Sequence, residues 1–198
     1  MNYLEIIGTA IGVIYLYLEY KASIWLWVAG VLMPAIYLPV YYEAGLYADF
    51  GISVYYLLAS VYGLGCWLRS RGNNSPSGEE TQVPRLRHTP AKLTVHLTAF
   101  FALLFMAIAY LLTTYTDSTV PIADSFTTAL SIVAMWMLAH KYAEQWLVWI
   151  AVDITSSVLY FYKDLPFTAV LYAAYAVIAV FGYMRWMKII RKNNEFNN

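Results

Sequence analysis

Seven continuously apolar stretches divide the chain: Leu4 to Tyr20, Ile24 to Tyr42, Ala48 to Leu68, Thr94 to Tyr115, Pro121 to Ala139, Trp146 to Tyr162 and Pro166 to Met187. A hydrocarbon core of about 30 Å needs roughly 20 apolar residues in helical form. The first and sixth stretches are the short ones. The runs do not alternate apolar with polar residues, which excludes a membrane β-barrel. The pattern predicts an all-α integral membrane protein with seven transmembrane helices. Residues 69–93 form the one long polar break, containing "SRGNNSPSGEETQVP". Rich in Gly, Ser and Pro, it reads as a flexible cytoplasmic linker. It either binds anionic lipid or a partner, or only carries the positive charge expected on that side. No basic residue precedes the first stretch and no cleavage signal follows it, so it is expected to stay in the mature protein.

Composition agrees with this pattern. Of 198 residues, 61% are hydrophobic and 12% charged, with mean hydropathy +0.56. Soluble domains carry about 25% charge, so a soluble fold, a disordered chain and a nucleic-acid binder are all excluded. Cys66 is the one cysteine, which excludes a disulfide scaffold. Net charge is zero, so the placement of charge matters more than its sum. With the N-terminus outside, eleven of the twelve basic residues lie inside and only Lys163 lies outside. Removing one span would put about half of them on the wrong side. The expected topology is N-out, C-in.

An offset of 119 aligns residues 9–67 with 128–186 without a gap. It pairs Trp27 with Trp146, Tyr41 with Tyr160, Tyr56 with Tyr175, Gly63 with Gly182 and Trp67 with Trp186. Spans one to three fall on spans five to seven. The halves share an orientation, so the plan is a parallel 3+1+3 repeat. Such repeats are a transporter architecture, with substrate near the midplane. The expected domains are a first repeat at 1–68, the linker at 69–93, a linking helix at 94–120, a second repeat at 121–187 and a basic tail at 188–198.

The sixth span places Trp146, Trp149, Asp153, Ser156 and Tyr160 at spacings of 3, 4, 3 and 4, on one helical face. Their repeat partners are Trp27, Gly30, Pro34, Tyr37 and Tyr41, so of the two stripes only the second carries a carboxylate. Asp153 sits about 10 Å deep at 1.5 Å per residue, where a carboxylate costs about 2.5–3.5 kcal/mol. It is either a counter-charge for a cation or proton, or a buried acid that ties helices together. Trp149 reads as a stacking platform for a cationic ring, and Trp146 as either platform or interface anchor. The third span lines up Asp49, Ser53, Tyr56, Ser60 and Gly63, and the seventh Thr168, Tyr172, Tyr175, Ala179 and Gly182. Their hydroxyls suit a polar ligand or helix–helix hydrogen bonds, and the two glycines suit close packing. Thr128 adds a hydroxyl on the fifth span, with Asp124 near the outer mouth. Pro34 and Pro39 kink the second span, either for a ligand or for packing. His88, His96 and His140 are scattered, and no nucleotide loop, metal cluster or nucleophile with a base is present. Neither an enzyme nor a cofactor is expected.

The succession "WLVWIAVDITSSVLYFYK", "TAVLYAAYAV" and "GYMRW", with "YYEAGLYADFGISVYYLLASVYG" in the first half, resembles the PnuC family of bacterial vitamin transporters. The resemblance covers nearly the whole chain outside the linker. It implies the plan of the SWEET sugar facilitators, residence in the bacterial inner membrane, and facilitated diffusion without ATP or a coupling ion. It also implies a homotrimer, and a cytosolic kinase that traps the substrate. Family members handle nicotinamide riboside, and relatives handle thiamine or riboflavin. The first two are cations with aromatic rings, which suits Trp149 and Asp153, and neutral riboflavin comes third. The small Ser53 replaces the larger amide expected in many nicotinamide riboside members and raises thiamine beside it. A non-transport receptor or scaffold is the alternative of another class.

Overall fold

The computed structural model describes residues 3–43, 47–72, 86–116, 119–164 and 166–196. Among these, seven helices form: α1 (Tyr3–Tyr20), α2 (Trp25–Glu43), α3 (Tyr47–Gly72), α4 (Ala91–Tyr115), α5 (Pro121–Ala139), α6 (Gln145–Tyr162) and α7 (Pro166–Phe196). Four are long and apolar enough to cross a membrane: Phe50–Ser70, Ala91–Tyr115, Pro121–Ala139 and Pro166–Asn193. The apolar part of α2, Trp25–Pro39, is shorter. In α6, Gln145, Asp153 and a run of hydroxyl side chains lower the mean hydropathy. Helix starts follow proline chemistry: Pro90 precedes α4, and Pro121 and Pro166 open α5 and α7, where no intrahelical N–H is needed.

The chain forms two compact units, Met1–Pro84 and Arg85–Asn198. In the first, α2 packs against α1 and α3; in the second, α6 packs against α5 and α7, and α4 lies on α5. The linking helix thus groups with the second three helices. Helices α3 and α7 also run beyond their apolar stretches, so the tail expected at 188–198 continues α7 as far as Phe196. No proline interrupts it, and lysine and arginine are good helix formers.

The offset of 119 reappears in the local geometry. Helix α1 ends with Ala22 at φ 52°, and α5 ends with its partner Lys141 at φ 61°. At each end two N–H groups turn back: Ala22 to Glu19 O and Ser23 to Leu18 O, Lys141 to Leu138 O and Tyr142 to Met137 O, at 2.8–3.0 Å. These are the paired bonds of a Schellman stop, with a left-handed residue that is usually glycine. Beyond each turn, Trp27 meets Trp67 edge-on at 5.9 Å and Trp146 meets Trp186 edge-on at 5.8 Å. All but Trp67 are completely buried, and Trp67 nearly so. Glycine allows both contacts. A Cβ on Gly182 falls 2.7 Å from the Trp146 ring, and one on Gly63 clashes with Trp27. The close-packing role expected for the two glycines is what they perform. Lipid tails are as apolar as these side chains, so close approach at small residues, and not the hydrophobic effect, holds such helices together.

The last part of the predicted flexible linker is fixed. Leu86 is buried, and Arg87 pairs with Tyr142 in the α5–α6 turn through an isolated parallel bridge. Residues 73–85 lie outside the described residues.

Candidate substrate site

The second unit brings most of its predicted residues together. Asp153 lies a little over one turn beyond Trp149 on α6, is 7% exposed, and accepts no hydrogen bond among the described residues. Ser156, also buried, follows on the same face. On α7, Tyr175 is within electrostatic reach of Asp153. Tyr172 meets Tyr175 edge-on at 5.8 Å and stacks on Tyr160 of α6 at 5.2 Å, with 15° between the planes. A ladder of three phenol rings therefore leads from the C-terminal end of α6 towards the buried carboxylate. The adjacent Ser157 hydroxyl donates to Ala169 O at 2.8 Å and ties the two helices at this level. Thr128 is half-buried on α5.

The indole N–H of Trp149 is buried and has no hydrogen-bond partner among the described residues, so the residue offers a donor as well as a ring. The Trp146 N–H also has no partner among the described residues, but its ring is closed in. It is completely buried, against Gly182 on one side and Trp186 on another. It packs α6 on α7 and offers no free face to a ligand or to the membrane interface.

In the first unit, Ser53 is buried on α3, Tyr56 lies against Tyr55 at 5.4 Å, and Tyr37 is half-buried on α2. The side chains of Tyr41 and Asp49 lie outside the described residues. The first unit also holds a buried acid, off the α2 stripe. Glu19 of α1 is 2% exposed and within electrostatic reach of Tyr15, one turn away on the same helix. The repeat alignment hides it, because its partner is the apolar Leu138 and it is not on the α2 stripe. The Tyr15–Glu19 spacing of four, inside an apolar run, was the available signal. At Gly30, a Cβ would lie 2.6 Å from Ser60 Oγ and 3.4 Å from the Tyr15 ring, so the missing side chain leaves room for both groups against α2.

Two apolar grooves of about 420 and 310 Å³ involve α4, α5 and α6. They hold none of the residues above. Helix α4 has no buried residue, so these are open surface clefts beside it.

The family model described as nicotinamide mononucleotide transporter matches residues 2–188. The nicotinamide riboside transporter PnuC of Escherichia coli is 22% identical, over 98% of this chain and 89% of that protein. The riboflavin/roseoflavin transporter RibM of Streptomyces davaonensis is 24% identical, over 96% and 87%. A crystal structure of the vitamin B3 transporter PnuC shares the fold, with TM-score 0.71 and 22% identity, over 93% of this chain and 80% of that one. The chain is a multi-pass protein of the bacterial inner membrane, and it belongs to the nicotinamide mononucleotide transporter family, the PnuC vitamin transporters.

Proposed function

We propose that the chain moves a cationic, ring-bearing vitamin precursor by facilitated diffusion, with nicotinamide riboside as the substrate and thiamine as the alternative. The observation that carries this reading is Asp153, buried and without a hydrogen-bond donor among the described residues. A carboxylate inside the membrane costs about 2.5–3.5 kcal/mol, and a bound cation offsets that cost. Trp149 supports the same class of ligand, since a desolvated cation over an indole face gains about 2 kcal/mol. Ser156, Tyr160, Tyr172, Tyr175 and Thr128 add hydroxyls and ring faces, and Tyr37, Tyr41, Ser53 and Tyr56 form the first repeat's set. Both preferred substrates carry a fixed positive charge on an aromatic ring. Riboflavin is neutral and gains nothing from a carboxylate, so it stays third despite the similarity to RibM.

The matched Schellman turns and Trp–Gly–Trp contacts support the parallel 3+1+3 repeat of the SWEET plan, and the basic residues support N-out, C-in. A homotrimer and a trapping cytosolic kinase belong to the same proposal, on the family resemblance.

Asp153→Asn tests the site, since it keeps volume and hydrogen bonding and removes the charge. A charge-assisted contact contributes about 1.5–3 kcal/mol, so affinity for the bound vitamin falls roughly 10- to 150-fold by isothermal titration. Trp149→Phe costs less than Trp149→Ala, because the smaller ring still stacks. If Asp153→Asn lowers thermal stability and leaves affinity unchanged, the carboxylate is structural and the counter-charge role is lost.

A further inference from the structure

The turn between α5 and α6 is gripped from outside by the segment that leads into α4. Arg87 N donates to Lys141 O at 3.1 Å, and Ala143 N donates back to Arg87 O at 3.0 Å. Arg87 Nε donates to His140 O at 3.0 Å, and its guanidinium lies over the Tyr142 ring at 4.6 Å. The next two residues converge on one carboxylate. His88 Nδ1 lies 2.8 Å from Glu144 Oε1, and Thr89 donates its N–H and its hydroxyl to Glu144 Oε2, each at 2.8 Å. Glu144 is the residue immediately before α6, and it makes no side-chain cap to that helix. Both its oxygens face the clasp instead.

The first repeat has the same turn, with no such clasp among the described residues. The backbone bonds around Ala22 match those around Lys141, and the position equivalent to Glu144 is Trp25, which is 63% exposed. The added polar contacts therefore serve something that the turn alone does not need. They hold the start of the helix on which Trp149 lies five residues on and Asp153 nine.

We propose that Glu144 is a positioning residue for transport: held by His88 and Thr89, it fixes the first turn of α6 and so sets the orientation of Trp149 and Asp153 towards the substrate. Glu144 touches no substrate itself. The inference rests on the assignment of those two residues as the binding pair. The charged and titratable neighbours that face the turn are Arg87, His88, His140 and Lys141.

The test uses the full-length protein in detergent, with nicotinamide riboside and thiamine as probes and Glu144→Ala, Glu144→Gln and Asp153→Asn as variants. Misalignment of a binding pair is expensive, so Glu144→Ala lowers affinity per folded molecule about 5- to 20-fold. Glu144→Gln, which still accepts from Thr89, recovers most of it. Hydrogen–deuterium exchange of amides 145–149 speeds up in Glu144→Ala and not in Glu144→Gln. Lower thermal stability with unchanged affinity overturns the proposal and makes the clasp a plain staple. If Asp153→Asn leaves affinity intact, the assignment of the binding pair fails instead. Exchange at 145–149 then decides for the clasp, and unchanged exchange overturns it.

Discussion

A single methyl group separates two glycines of α3. A Cβ on Gly63 clashes with the Trp27 ring, whereas one on Gly65 meets nothing within 4 Å. Gly63→Ala forces a buried indole to move and costs about 1–3 kcal/mol, and Gly182→Ala costs the same against Trp146. Gly65→Ala instead gains up to about 1 kcal/mol of helix propensity. Thermal unfolding in detergent reads all three, and equal effects at Gly63 and Gly65 would contradict the contacts described. The same scale shows where the sequence stops informing. Spacing put Trp146 and Trp149 on one stripe, and both are there. Only the position of Gly182 and Trp186 across the interface decides that the Trp146 ring is sealed between them. Helical periodicity reports a face, and cannot report what the neighbouring helix places against each residue on it.

The α5–α6 turn shows how an element acquires a pH response outside the membrane. Burial pushes the Glu144 carboxyl up, but the hydrogen bonds from His88 and Thr89 pull it further down, leaving it below the ordinary 4.5. A carboxyl lowered in the folded state stabilises the fold above its ordinary range, and that contribution is lost as pH falls through the folded value. The three partly exposed charge-assisted contacts, one from His88 and two from Thr89, together contribute about 1–2 kcal/mol near neutrality. The melting temperature of Glu144→Ala therefore lies below wild type at pH 7, and the gap narrows as pH drops below about 4.5, where the protonated acid keeps only the neutral hydrogen bonds that Glu144→Gln also keeps. A gap of constant size through that range would show that the carboxylate charge adds nothing to the clasp. Both ends of α5 were legible from apolar length, Pro121 to Ala139. What the sequence did not show is how the helix stops, with Lys141 at φ 61°, a conformation that sequence preference assigns to glycine. The clasp itself was illegible, because it joins residues about 55 apart in a segment whose composition resembles a loop.

For the whole molecule, the N-out, C-in topology is a proposal that rests on the distribution of lysine and arginine, a property of the chain against the bilayer that needs no tertiary contact. The seven helices followed from apolar length, and the two turns and the two Trp–Gly–Trp contacts obey the gapless offset on which the proposed repeat rests. Glu19 escaped because an acid near a helix end reads as a boundary, while here it is buried. Topology has a direct check: a reporter fused after Asn198 registers the cytoplasm, and a tag at Met1 is reachable from outside. Both termini on one side would remove the seven-span reading. Mechanism has another. A fixed cation moving through a passive carrier needs no chemical coupling, only the concentration difference maintained by its removal inside. In proteoliposomes preloaded with unlabelled nicotinamide riboside or thiamine, labelled vitamin outside then accumulates transiently by counterflow, without ATP and without an imposed ion gradient. Because the proposed substrate is charged, an inside-negative potential speeds net uptake. It leaves the requirement for sodium or a proton gradient at zero. Strict dependence on either ion would mean that a buried acid, Asp153 or Glu19, binds a coupling ion, and the facilitator mechanism would be wrong.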